Sequence, residues 1–238
     1  MKQLFWLFIL IALCGCKAEP NNKFAAGSSP ASTENPSPVS KPATLPASPS
    51  ASVADNRPVI VCFGDSLTAG LGTDPGQSYP DYLQTLLNGE GYRYRVVNEG
   101  VSGDTTKDGV ARVAHVLSLK PAIVVVEFGG NDGLRGLPLT ETQKNLAGMV
   151  TTIHASGAKV LLAGISLPPS YGQDYITRFN AMYPAIAKQA GVSLNPFIYK
   201  DVYNTPGDIQ DDGIHATAKG NQQVAKNIAA SLKPLLKR

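Results

Sequence analysis

The chain has 238 residues, a formal net charge of +3, three cysteines and an apolar fraction of 43%. So small and scattered a charge argues against a nucleic-acid module, and three cysteines are too few for a disulfide scaffold. The length allows one good-sized domain.

Residues 1–16 read as an export signal. Lys2 gives a positive start, and the apolar run 4–13 is short of the roughly 20 residues that a permanent span needs. Leu13-Cys14-Gly15-Cys16 puts a small residue before Cys16 and resembles the lipobox of bacterial lipoproteins. That resemblance implies cleavage before Cys16 and lipid attachment on it. With Lys17 next, it implies export and a lipid anchor in the cell envelope, in the outer membrane or facing the periplasm. Cys14 leaves with the signal, and Cys62, alone in the apolar segment VIVCF, is expected to be a core residue. Residues 17–56 are rich in Ser, Pro and Ala, with Pro30, Pro36, Pro38, Pro42, Pro46 and Pro49 spread along them. They offer little to bury against the entropy of ordering them, so a disordered tether is expected. It would span about 35 Å as a coil and ~120 Å as extended polyproline.

From residue 57 to 238 the pattern is that of a folded domain. Short β-branched runs at 59–63, 94–97, 123–127, 159–165 and 192–194 read as strands buried on both faces. Helical stretches fall between and after them, at 80–88, 107–117, 140–155, 175–189 and 217–235. Gly91, Gly157 and Gly191 stand where helix ends favour positive φ. Strand and helix alternating at this spacing predict an α/β three-layer sandwich, an approximately five-stranded parallel sheet with helices on both faces.

Such sheets bind ligands beyond the C-terminal ends of their strands. The first exit is Gly64-Asp65-Ser66-Leu67, where Ser66 is either a nucleophile at a helix start or a capping serine. A nucleophile elbow is excluded, because Thr68 holds the position of its last glycine. The second exit carries Gly103, whose N–H can face the crevice. The third, Gly129-Gly130-Asn131-Asp132-Gly133, presents the Asn131 amide. Before the last helix comes Asp211-Asp212-Gly213-Ile214-His215, where Asp212 can orient His215 as a general base. His115 and His154 fall on expected helices without such a partner. Gly70 to Gly76 misses the Gly-x-Gly-x-x-Gly register by one residue, and no paired-histidine spacing suggests a metal.

Together these residues resemble the SGNH (GDSL) hydrolases, a flavodoxin-like fold, and most closely the bacterial branch of thioesterase I, lysophospholipase and arylesterase enzymes. FGDSLTAGLG, VSGDTT, GGNDGLRG, LPPSYG and QDDGIH carry the likeness. It implies a serine esterase with a Ser66–His215–Asp212 triad and an oxyanion hole built from Ser66 N–H, Gly103 N–H and the Asn131 side chain. The substrates implied are small acyl esters, thioesters or lysophospholipids, with no cofactor, no metal and no nucleic acid. A monomer is expected, touching the membrane through its lipid anchor. Asp65, Asp104 and Asp132 are expected to hold turns, and loops 134–136 and 168–172 to wall the acyl groove. Ala216 stands where the branch usually has proline, and Leu167 where an aromatic often precedes the two prolines. A carbohydrate O-acetyl esterase and a non-catalytic tethered binding module are the two rival functions.

Overall fold

A central parallel strand is covered on both faces, and VIVCFG, residues Val59–Gly64 (β1), is buried along its whole length. It pairs with β2 (Arg95–Gly100) on one side and β3 (Pro121–Glu127) on the other. β4 (Lys159–Ala163) and β5 (Ser193–Asn195) continue the sheet in the order β2-β1-β3-β4-β5, all parallel. The structure is a computed structural model and describes residues 55–238. The expected signal, Cys16 and the tether up to residue 54 lie outside the described residues.

The chain turns back between β2 and β3, passing from one side of β1 to the other. With crossovers of the usual right hand, that reversal sends helices to opposite faces. The helix contacts divide in this way: α2 (Tyr79–Gly89) packs on α7 (Ala218–Leu232), whereas α3 (Thr106–Ser118) packs on α5 (Leu139–Ala155), which packs on α6 (Gln173–Ala190). Each turns an apolar stripe inward, such as Val224, Ala225, Ile228 and Leu232 on α7. Capping boxes start two of them, Ser78 with Asp81 on α2 and Thr105 with Asp108 on α3. The register aligns Gly64 with Gly100 and with Glu127, so three strand exits come level around the reversal point.

Two single-turn helices stand directly at strand exits: α1 (Ser66–Ala69) supplies the helix start expected at Ser66, whereas α4 (Gly130–Leu134) stands where only a turn was expected. Cys62 is fully buried, and burial pushes its thiol up to about 12, which makes it a core residue and a poor nucleophile.

Candidate active site

Gly64 ends β1 because a side chain there would run into Thr68 Oγ1 and Glu127 Oε2. Asp65 then caps α1, its Oδ1 accepting from Leu67 N at 3.0 Å. Ser66 is thus the first residue of the helix and not its cap, so the capping role that the sequence allowed falls to Asp65. The Ser66 hydroxyl meets His215 Nε2 at 2.8 Å, across 149 residues of chain. His215 Nδ1 meets Asp212 Oδ2 at 2.6 Å, while Asp212 Oδ1 accepts from Ile214 N and His215 N at 2.9 and 3.0 Å. One carboxylate therefore fixes both the loop and the ring. Desolvation works to raise the Asp212 pKa, but the hydrogen bonds from His215 and Ile214 outweigh it and hold the carboxyl below its ordinary range. A neutral ring with its proton on Nδ1 leaves Nε2 able to accept from Ser66.

The three expected oxyanion donors line the same cavity as His215. Gly103 sits in a turn closed by Asp104 N donating to Val101 O at 3.2 Å, and its φ of +88° is one that side chains resist. Among the described residues, neither Ser66 N nor Gly103 N donates to a protein acceptor. Asn131, the second residue of α4, differs. Its Nδ2 already donates to Asp65 Oδ2 at 3.1 Å and to Asp104 O at 3.0 Å. Both amide hydrogens are in use, so Nδ2 must share one of them to serve an oxyanion.

The cavity measures about 320 Å³. Leu67, Leu71, Leu134, Ile165, Leu167 and Phe197 give it an apolar wall. Leu134 and Pro168 bring in both expected loops, and Tyr171 Oη ties them by donating to Leu134 O at 2.9 Å. Arg135 instead donates to Gly103 O at 2.8 Å and so braces the donor turn. Ala216 N donates to the buried Tyr199 hydroxyl at 3.2 Å, a bond that a proline at this position would lack.

Two groups beneath the cavity have no counterpart in the sequence reading. Glu127 is fully buried; its Oε2 accepts from Thr68 Oγ1 at 2.9 Å, and its Oε1 has no hydrogen-bond partner. Burial, and then the neighbouring Asp65 carboxyl, push the Glu127 pKa well above its ordinary value, while burial raises Asp65 to about 6. Both effects favour the protonated form of Glu127. A charged residue closing an otherwise apolar strand was the one available signal for it. The second group is Arg112 on α3, whose guanidinium lies under the β1 and β2 exits. Nothing in the helical pattern marks it.

The expected turn-holding acids do more than hold their own turns. Asp65 reaches Asn131, Asp104 accepts from Arg112 at 2.7 Å, and Asp132 accepts from Thr106 N and Oγ1 at 2.8 and 2.6 Å. His115 also departs from expectation: it has a carboxylate partner, Glu99, at 3.2 Å. That pair is on the surface and takes no part in lining the cavity. Among the described residues no group of three or more His, Cys, Asp or Glu side chains is placed to hold a metal ion.

Comparison with known proteins agrees with this geometry. Residues 62–223 match the model of the GDSL-like lipase/acylhydrolase family. Esterase TesA of Pseudomonas aeruginosa is 47% identical over 178 residues, covering 74% of this chain and 89% of that protein. Thioesterase 1/protease 1/lysophospholipase L1 of Escherichia coli is 38% identical over 178 residues, 74% of this chain and 84% of that one. A crystal structure of TesA superposes with a TM-score of 0.72 at 46% identity, covering 75% of this chain and 99% of that one. Since the matched span takes in the end of β1, all of β2 to β5 and both Ser66 and His215, the chain belongs to the GDSL-like lipase/acylhydrolase family.

Proposed function

We propose that the chain is a serine esterase that hydrolyses acyl esters and thioesters through an acyl-enzyme on Ser66. The observation that carries this reading is the relay from Ser66 Oγ to His215 Nε2 and from His215 Nδ1 to Asp212, opening into an apolar cavity. His215 takes the Ser66 proton as Oγ bonds to the acyl carbon, and Asp212 steadies the imidazolium. The carbonyl oxygen, now an anion, accepts from Ser66 N–H, Gly103 N–H and a shared hydrogen of Asn131. Collapse expels the alkoxide or thiolate, which leaves with the proton from His215. Water then repeats the sequence on the acyl-enzyme, releasing the acid and restoring Ser66.

The apolar wall supports acyl chains longer than acetyl. Each buried methylene is worth roughly 0.8 kcal/mol, so kcat/KM should rise about fourfold per methylene until the cavity is full. The relatives named esterase, thioesterase and lysophospholipase support aryl esters, acyl thioesters and lysophospholipids as the classes to test. The experiment is an acyl series from acetyl to palmitoyl beside an acetylated glycan, on wild type and Ser66→Ala, with fluorophosphonate labelling. A rising series with Ser66 as the labelled residue is the expected result. Turnover confined to the acetylated glycan would make the chain a carbohydrate O-acetyl esterase. Folded protein with no adduct on Ser66 would leave only a binding module.

We propose also that the protein is exported as a monomer and held to the cell envelope by lipid on Cys16, with residues 17–56 as its tether. The apolar run 4–13 ending in Gly15-Cys16 supports this. Cys16→Ala should abolish metabolic labelling by fatty acid, and label that persists would refute the anchor.

A further inference from the structure

Arg112 is on α3 and is not among the cavity's lining residues, yet it is bonded to the segments that carry them. Its Nη2 donates to Gly64 O at 2.8 Å, at the end of β1 and two residues before Ser66. Its Nη1 donates to Glu99 O at 2.9 Å, at the end of β2. Its Nε donates to Asp104 Oδ2 at 2.7 Å, in the turn that presents Gly103. The guanidinium also stacks over Phe63 of β1, 4.6 Å from the ring centroid, and lies 5.6 Å from that of Phe128, just past β3. Asp104 is the junction of this arrangement. Its side chain is held by Arg112, its N–H closes the Gly103 turn onto Val101, and its carbonyl accepts from Asn131 Nδ2.

We propose that Arg112 is a positioning residue for the esterase reaction: by joining Gly64, Glu99 and Asp104 through one planar group, it sets where the Gly103 and Asn131 donors stand relative to Ser66. Three donors in a fixed fork suit this role, and a lysine ammonium, with one nitrogen, cannot reach all three acceptors. The low exposure of the pair, 20% for Arg112 and 14% for Asp104, keeps water from replacing the link cheaply. The proposal rests on reading Gly103 and Asn131 as oxyanion donors, so its test includes a control on that reading.

The test compares Arg112→Met, Arg112→Lys, Asp104→Ala and Asn131→Ala in the full chain. Arg112→Met keeps an apolar stem against Phe63 and Phe128. For each variant, kcat and KM are measured per site counted by end-point fluorophosphonate labelling, together with the affinity for a trifluoromethyl ketone, which mimics the tetrahedral adduct. Losing an oxyanion donor typically costs ~10²–10³ in turnover, so misplacing two should lower kcat of Arg112→Met about 10²-fold. KM should stay within about threefold and ketone affinity should fall in parallel with kcat/KM. Arg112→Lys should recover only part of the loss. The double variant of Arg112→Met and Asp104→Ala should lose less than the product of the single losses, because both break one link. A purely structural role would lower the count of sites and the melting temperature but leave kcat per site and ketone affinity unchanged, and that result overturns the proposal. Should Arg112→Met not fold, Arg112→Lys and Asp104→Ala decide: wild-type kcat and ketone affinity in both refute it. If Asn131→Ala alone leaves kcat and ketone affinity unchanged, the oxyanion reading falls first. A large loss in Asn131→Ala with none in Arg112→Met overturns only the role of Arg112.

Discussion

Replacing Asp212 by asparagine tests the relay with little disturbance of the fold. An asparagine carbonyl can stand in for Oδ1 and still accept from Ile214 N and His215 N, now 2.9 and 3.0 Å from it, so the loop keeps its shape. The amide nitrogen then faces His215 Nδ1, where Oδ2 stood at 2.6 Å. Two N–H groups cannot oppose each other at that distance, so the ring moves its proton to Nε2 and loses the lone pair that Ser66 needs. In a buried triad this change lowers kcat by ~10⁴. Here the Asp212 side chain is 45% exposed, and water can restore part of the lost tautomer preference. The expected loss is therefore nearer ~10³, about 4 kcal/mol of transition-state stabilisation, with KM changed only a few-fold. The assay is kcat on a chromogenic acyl ester across pH, with thermal unfolding alongside. Asp212→Ala should lose a similar factor and also stability, since it strips two backbone N–H groups of their acceptor. Asp212→Asn retaining more than a tenth of wild-type kcat would refute the relay.

Gly103→Ala meets no clash, the nearest atom being Arg135 Nη2 at 3.7 Å, but it must hold a φ of +88°. The turn should relax at a cost of roughly 1–2 kcal/mol and swing the N–H away, lowering kcat by ~10² with little change in KM; an unchanged kcat would remove Gly103 from the oxyanion hole. The Asp65–Glu127 pair predicts a pH-dependent stability. Burial lifts the Asp65 pKa from 3.8 to about 6 and also raises that of Glu127, so the folded state binds protons that the unfolded chain has already released. The stability this lends is complete below the unfolded values and is lost as pH rises through the folded ones. Denaturant titrations should show stability falling as pH rises through about 6, with a smaller fall in Glu127→Gln; identical slopes would show that Glu127 keeps no proton. Asp212 has the opposite sign: its depressed pKa contributes stability above the unfolded 3.8, lost as pH falls through the folded value. Asp212→Asn should therefore flatten the acid limb below that point, and an unaltered limb would count against the His215–Asp212 bond.

The fold was legible where apolar periodicity was strong. The run 59–63 read as a strand buried on both faces, as β1 is, and α2, α3, α5 and α6 begin and end within two residues of their expected bounds. Misjudged boundaries have local causes. β2 runs on to Gly100 because Asn98, Glu99 and Gly100 pair with Cys62, Phe63 and Gly64, a register that their polar side chains conceal. β4 stops at Ala163, where Gly164 N turns to Asn195 O. α1 and α4 are too short to show any amphipathic period. In the site, Ser66, Gly103, Asn131, Asp212 and His215 were legible because each stands at a strand exit or beside its partner. Glu127, Arg112 and Tyr199 were not, since their partners lie 59, 48 and 17 residues away. Only the folded register brings them together.

That contrast separates the two halves of the machinery. The donor side is cross-braced between exits: Asp65 of the first takes Asn131 of the third, Asp132 of the third takes Thr106 beyond the second, and Arg112 joins the first to the second. Asp132 is nearly inaccessible and also accepts from Thr142 Oγ1 on α5, so this side is continuous with the core. The base side is held otherwise. His215 depends on Asp212 in its own loop, on Tyr199 through Ala216 N, and on Gln210, which donates to Leu71 O and Ala216 O at 2.8 Å. Bonds that are buried and shared among elements are lost only when packing is lost, whereas bonds within an exposed loop open locally. On the proposed mechanism, donors braced in this way stand ready before substrate arrives, as electrostatic stabilisation of an oxyanion requires, while the Asp212 carboxylate that orients His215 lies on the more exposed side, its side chain 45% exposed.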